Sequence, residues 1–263
     1  MDDNVKRKRT ISAALLYFFF VALHLMINRF EFMRHMVPLR ITQFWLVIDI
    51  GSICVITLLC ARVLHIRILH RAAWWALEGT LLGLAPLLLF NCLVAYPQHL
   101  TISTWWPIMW TLVELVLGVV FEELLGRAIV IPVIAQYTQH GLPVIVWSAL
   151  AFSGTHLVNL TRQSLVQTGP QLLFTLLLGI VLGQVYVLTD NIICPIVVHG
   201  LWNASVTLPE LLGTGYAFSE SAMIDVLFVL GFATLFVIIR RNQHQITSAT
   251  LKQFKLLAYV KGE

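Results

Sequence analysis

The chain has 263 residues, 59% hydrophobic and only 11% charged, with a mean hydropathy of +0.85. Soluble domains carry roughly 25% charged residues, so an ordinary soluble globular protein is excluded, and runs of about 18 or more nearly uncharged residues point to transmembrane helices. The net charge of +4 comes from basic clusters at both ends (Lys6, Arg7, Lys8, Arg9; Arg240, Arg241, Lys252, Lys255, Lys261) and in the 62–71 loop, a pattern of cytoplasmic anchors beside anionic lipid rather than of a nucleic-acid surface.

In chain order the sequence predicts an all-α, polytopic membrane helix bundle, one domain over residues 1–263. About eight spans are expected, at 10–28, 41–61, 72–96, 105–135, 142–160, 169–189, 191–208 and 219–239. The first follows a charged head, is long for a signal peptide and meets no small-x-small cleavage site, so it is read as retained. The fourth exceeds one simple span, and Pro132 is expected to bend or end it. Loops 97–104 and 209–218 lack Lys and Arg and would face out. The N-terminus, the 62–71 loop and the C-terminal tail would face the cytoplasm, which needs an even number of spans. Arg29, Arg34 and Arg40 run against that pattern. The short loops suit a bacterial cytoplasmic membrane.

Cys54, Cys60, Cys92 and Cys194 show no CxxC or metal-like spacing and are expected as small buried side chains. The tail from Ile246 mixes apolar and basic residues and is read either as lying along the inner surface or as disordered. Its last four residues, VKGE, are not a prenylation box, so the chain is not itself read as a lipidated substrate.

The fourth span contains VVFEELLGRAIVI, residues 119–131. A charge at the centre of a spanning helix costs roughly 2.5–3.5 kcal/mol, so Glu122, Glu123 and Arg127 must face the bundle interior. Glu123 and Arg127 are four apart and share a helix face, so they can pair. Glu122 points about 100° away and stays available. Alternatively, all three only lock helices together.

Two later segments add polar groups. Phe152 and His156 lie four apart in ALAFSGTHLVNL, and His199 and Asn203 lie four apart in NIICPIVVHGLWNAS. At 1.5 Å per residue, Glu122 and His156 fall roughly 20 Å from the inner ends of their helices, and His199 roughly 12 Å. One carboxylate, two histidines and a carboxamide can therefore meet in the inner half of the membrane.

No serine stands in a GxSxG context and no cysteine pairs with these histidines. A poorly hydrated carboxylate beside a histidine can hold and deprotonate water, while a second histidine and an asparagine supply donors to an oxyanion. That combination fits water attack on a carbonyl. Glu122, His156 and His199 could also ligate zinc, but there is no HExxH and no obvious further carboxylate to act as base, so the expectation is catalysis without metal or organic cofactor. A small-solute transporter fits the buried charges but lacks repeats or broken helix pairs.

These residues resemble the CAAX protease and bacteriocin-processing (CPBP, or Abi) family of intramembrane glutamate proteases. Its motifs are EExxxR, FxxxH and HxxxN or HxxxD on successive membrane helices. Here they read Glu122-Glu123-Leu124-Leu125-Gly126-Arg127, Phe152-Ser153-Gly154-Thr155-His156 and His199-Gly200-Leu201-Trp202-Asn203. The resemblance covers about residues 105–206, helices four to seven. It implies an intramembrane endopeptidase acting on a membrane-associated or lipidated peptide. Glu122 would activate water with help from His156, and His199 and Asn203 would stabilise the oxyanion. Glu123, Arg127 and Phe152 would support them. Many members have Phe before the arginine and Gly after it, where this chain has Gly126 and Ala128. Some relatives are tied to bacteriocin self-immunity or act as membrane partners, so a non-catalytic immunity or scaffold protein is the alternative.

Other polar residues are read as structural. Asp49 and Glu114 are taken as hydrogen-bonded helix contacts, although Glu114 could line an access path to the cavity. Asp190 and Asp225 are placed near helix starts, where the dipole favours a carboxylate. Asn159-Leu160-Thr161 matches the glycosylation pattern but lies beside the membrane. Trp74, Trp75, Trp105 and Trp106 read as interfacial anchors.

Overall fold

The computed structural model describes residues 3–32, 48, 50–59, 74–97, 106–138, 140–161, 163–211, 214–216, 220–247 and 251. Helices dominate: α1 (Asp3–Phe32), α2 (Ile50–Leu59), α3 (Trp74–Val94), α4 (Trp106–Glu123), α5 (Val130–Ala135), α6 (Gly141–Thr155), α7 (Leu165–Thr189), α8 (Ile193–Leu211) and α9 (Glu220–Gln243). Among the described residues the only strands are β1 (Ala95–Pro97) and β2 (Thr214–Tyr216), an antiparallel pair with Ala95 opposite Tyr216. Asp49, Cys60, Trp105, the 29–40 loop beyond Phe32, the 62–71 loop and residues 252–263 of the tail lie outside the described residues.

Two of these helices, Gly141–Thr161 and Leu165–Thr189, are long and apolar enough to cross a membrane by length and composition. The surface carries large apolar side chains on many helices: Phe18 is 68% exposed, Leu82 68%, Val166 84% and Val237 65%. A soluble monomer rarely leaves so much apolar area to water, whereas lipid accepts it. Polar side chains such as Glu123, Arg127, Ser148, Gln184 and His199 lie inside.

α7 is the central helix, and every residue from Val181 to Thr189 is buried. Its start is held by a reciprocal capping box between Ser164 and Gln167. Gly179 and Gly183, one turn apart, face α6. A Cβ on Gly179 would stand 3.1 Å from the Ala149 backbone, and one on Gly183 would stand 3.2 Å from Ile145. In lipid there is little hydrophobic drive between helices, so small residues that allow close approach take over that work. One apolar cluster joins α1, the α4–α5 rod, α6 and the end of α7; a second joins α3, α7, α8 and α9.

Side-chain contacts define one end of the bundle. There Thr10 bonds Tyr137, Arg241 donates to the Gly79 carbonyl at 3.2 Å and Ile246 packs over Gly141. The starts of α1, α3 and α6 and the end of α9 therefore share that end, and the β1–β2 ribbon marks the other.

Pro132 does not end its helix, which runs on to Ala135. The irregularity falls a turn earlier, where Leu124–Ile129 forms a π-helical turn between α4 and α5. Proline withholds the donor that Ala128 would need, and the wider turn re-routes bonding just upstream. Cys194 is buried but Cys54 is exposed, because α2 turns that position outward; in lipid a small apolar thiol costs nothing there. Asp190 lies at the end of α7 rather than at a helix start, in the left-handed conformation with φ 50°. Asn191 caps α8 instead, its Oδ1 accepting from the Ile193 N–H at 2.9 Å.

Candidate active site

Glu122 and Glu123 close α4, and the chain widens into the π-turn directly after them. Glu123 is completely buried, with Oε1 3.1 Å from Nη1 of Arg127, itself completely buried. This is a charge contact rather than an aligned hydrogen bond. Among the described residues, Arg127 Nη1 and Nε and Glu123 Oε2 have no aligned partner. Arg127 Nη2 donates a long bond of 3.4 Å to the Gly179 carbonyl. The guanidinium also lies over the Phe152 ring, 4.3 Å from its centroid, a stabilising cation–π geometry in a desolvated setting.

His199 of α8 completes the buried cluster. Its Nδ1 is 2.8 Å from Glu123 Oε1, and its Nε2 is 3.7 Å from Glu122 Oε2. An ionised carboxylate only accepts, so Nδ1 carries the hydrogen and Glu123 sets the ring's orientation. The 3.7 Å gap is too long for a direct bond, yet one water can touch both atoms. The Glu122 side chain is 23% exposed against 0% for Glu123. Adjacent carboxylates thus have different surroundings: one is sealed in an ion pair, the other faces an imidazole.

His156 stands where α6 changes pitch. It opens a 3-10 turn, His156–Thr161, and its N–H bonds the carbonyls of Gly154 and Ser153 rather than that of Phe152. The freed Phe152 carbonyl accepts from the Thr155 hydroxyl at 2.6 Å and pairs with His156 Nδ1 at 3.2 Å. A carbonyl partner puts the hydrogen on Nδ1 and leaves Nε2 as the acceptor. The Phe152 ring meets both imidazoles edge to face, with centroids 5.2 Å from His156 and 5.4 Å from His199.

The structure therefore brings Glu122, Glu123, Arg127, Phe152, His156 and His199 into one cluster from α4, the π-turn, α6 and α8. His199 Nε2 stands nearest the Glu122 carboxylate among the contacts described, and His156 joins the cluster through the Phe152 ring. Asn203, one turn beyond His199, is half-buried. Among the described residues no three His, Cys, Asp or Glu side chains are grouped closely enough to hold a metal ion. Glu114 accepts from the Trp110 indole at 2.8 Å, and Asn159 donates to Gln171 at 2.9 Å.

Sequence reasoning missed two residues that touch the cluster. Gly179 supplies the carbonyl for Arg127, and its spacing to Gly183 was a visible small-residue signal. Ser148 donates to the Gly126 carbonyl at 2.7 Å, and nothing in its neighbourhood set it apart from any serine in an apolar helix.

Residues 103–205 match the family model described as type II CAAX prenyl endopeptidase Rce1-like. That stretch holds all three motifs and every residue of the cluster. No curated protein and no solved structure matches the chain. Over residues 103–205 the chain is therefore similar to an Rce1-like prenyl endopeptidase domain.

Proposed function

We propose that this chain is an intramembrane endopeptidase in which Glu122 takes a proton from water as the water oxygen attacks a peptide carbonyl. The observation that supports it best is the partly open Glu122 carboxylate, 3.7 Å from an imidazole nitrogen whose other nitrogen is held by a buried carboxylate. General-base help of this kind contributes roughly 10²–10⁴-fold. His156, with Nε2 left as an acceptor, helps hold the water. His199, when protonated on both nitrogens, and the Asn203 carboxamide donate to the oxyanion. When the tetrahedral intermediate collapses, the C–N bond breaks and Glu122 returns its proton to the leaving amine. Glu123, Arg127 and Phe152 orient these groups, and the reaction uses no metal or organic cofactor.

The substrate is a membrane-associated peptide segment or lipidated tail, consistent with a prenyl endopeptidase family. The chain sits in a bacterial cytoplasmic membrane as a bundle of about eight spans, with the basic ends of α1 and α9 on the cytoplasmic side. A second reading, a non-catalytic immunity or scaffold protein, draws on the same cluster, because the Arg127, Glu123 and His199 contacts tie α4, α6, α7 and α8 together.

Cells producing wild type or Glu122→Gln at equal membrane levels separate the two. A peptide terminus found by mass spectrometry only with wild type supports the peptidase. An identical set of termini, with the variant still supporting the cell's phenotype, leaves the scaffold.

A further inference from the structure

We infer that Ser148 is a positioning residue for the Glu122–Glu123 pair, acting through the π-turn rather than by touching either carboxylate. The inference rests on the peptidase reading above.

The π-turn departs from α-helical bonding at Gly126. In an α-helix the Val130 N–H would donate four residues back, to the Gly126 carbonyl. Here it donates to the Arg127 carbonyl instead. Gly126 lies in a fully buried turn, where a carbonyl left short of a partner is costly. The Ser148 hydroxyl on α6, itself 0% exposed, donates to that carbonyl at 2.7 Å. An outside hydroxyl therefore bonds the carbonyl that the Val130 N–H does not take.

The place of this turn is what gives it consequence. It begins immediately after Glu123 and contains Arg127, so its winding sets where the guanidinium stands against the carboxylate 3.1 Å away. Glu123 in turn holds His199, and His199 faces Glu122. Rewinding the turn to regular α geometry would change the angle between the Glu pair and Arg127 by a fraction of a turn. A misplacement of about 1 Å near reacting groups can cost about 100-fold in rate.

Ser148→Ala removes one oxygen from a packed site and leaves no large cavity, so the chain is expected to fold. The probe is a prenylated peptide carrying a fluorophore and quencher on either side of the bond after its prenylated cysteine. Purified wild type, Ser148→Ala and Ser148→Thr are compared, and hydrogen exchange is followed in the peptide spanning 124–131. Ser148→Ala is expected to lower kcat about 10- to 100-fold with KM within about twofold, and to speed exchange in 124–131. Ser148→Thr, which keeps the hydroxyl, is expected to recover most of kcat. Unchanged kcat in Ser148→Ala with an active wild type would overturn this inference alone, whatever the exchange. A change confined to KM would do the same. Absence of turnover by wild type would overturn the peptidase reading for prenylated peptides and this inference with it.

Discussion

Replacing Arg127 by Met tests the buried charge cluster most directly. Arg127 and Glu123 are both fully buried, with 3.1 Å between Nη1 and Oε1. At an effective dielectric of about 20, that separation gives a Coulomb attraction of about 5 kcal/mol. Desolvation costs several kcal/mol per ion and offsets most of it, so the intact pair adds little net stability. The single substitution leaves Glu123 buried with only His199 against it, and removes the cation from the face of Phe152. The expected loss is about 3–5 kcal/mol. Glu123→Gln/Arg127→Met removes both charges and should recover most of that loss, giving a coupling energy of at least about 2 kcal/mol. Reversible unfolding in mixed micelles, followed by helical signal against denaturing-detergent fraction, measures all four chains of the cycle. Arg127→Met within about 1 kcal/mol of wild type would refute the reasoning, as would a double variant whose loss equals the sum of the singles.

Other substitutions separate chemistry from packing. Glu122→Gln should abolish turnover of the quenched prenyl peptide, a drop of at least ~100-fold, while the purified protein keeps its detergent stability; loss of folded protein instead would favour the scaffold. Gly179→Ala places a methyl 3.1 Å from the Ala149 backbone and 3.2 Å from the Phe152 ring, so it should destabilise by about 1–3 kcal/mol. Gly126→Ala makes the opposite prediction: its Cβ would meet Phe152 at an ordinary 3.7 Å, and relief of glycine's backbone entropy should stabilise by about 0.5–1 kcal/mol. Equal effects at the two glycines would refute the packing described for α6 and α7. Phe152→Leu removes the ring contacts to both histidines and Arg127, and is expected to lower kcat more than it raises KM.

The helical class was legible in the sequence because each apolar run is a local property: one span announces itself without reference to any other. Glu123 and Arg127 were readable as a pair for the same reason, since four residues is one turn of a single helix. The motif spacing carried the resemblance over residues 105–206, and the family match covers 103–205. The sequence could not show which histidine faces Glu122, because that depends on how far α6 and α8 slide along α4. Comparable distances from helix ends suggested a common depth; side-chain contacts between helices determine the actual neighbours. Nor could it show the π-turn or the 3-10 turn at His156. Both arise where backbone groups find partners outside regular helix bonding, Ser148 for Gly126 and the Thr155 and His156 side chains for Phe152. Local pattern thus determined the helices and the identity of the polar groups. Tertiary packing decided that the Glu123–Arg127 pair is sealed from solvent while Glu122 stays partly open beside His199, because burial is a property of the assembled bundle and not of any one segment.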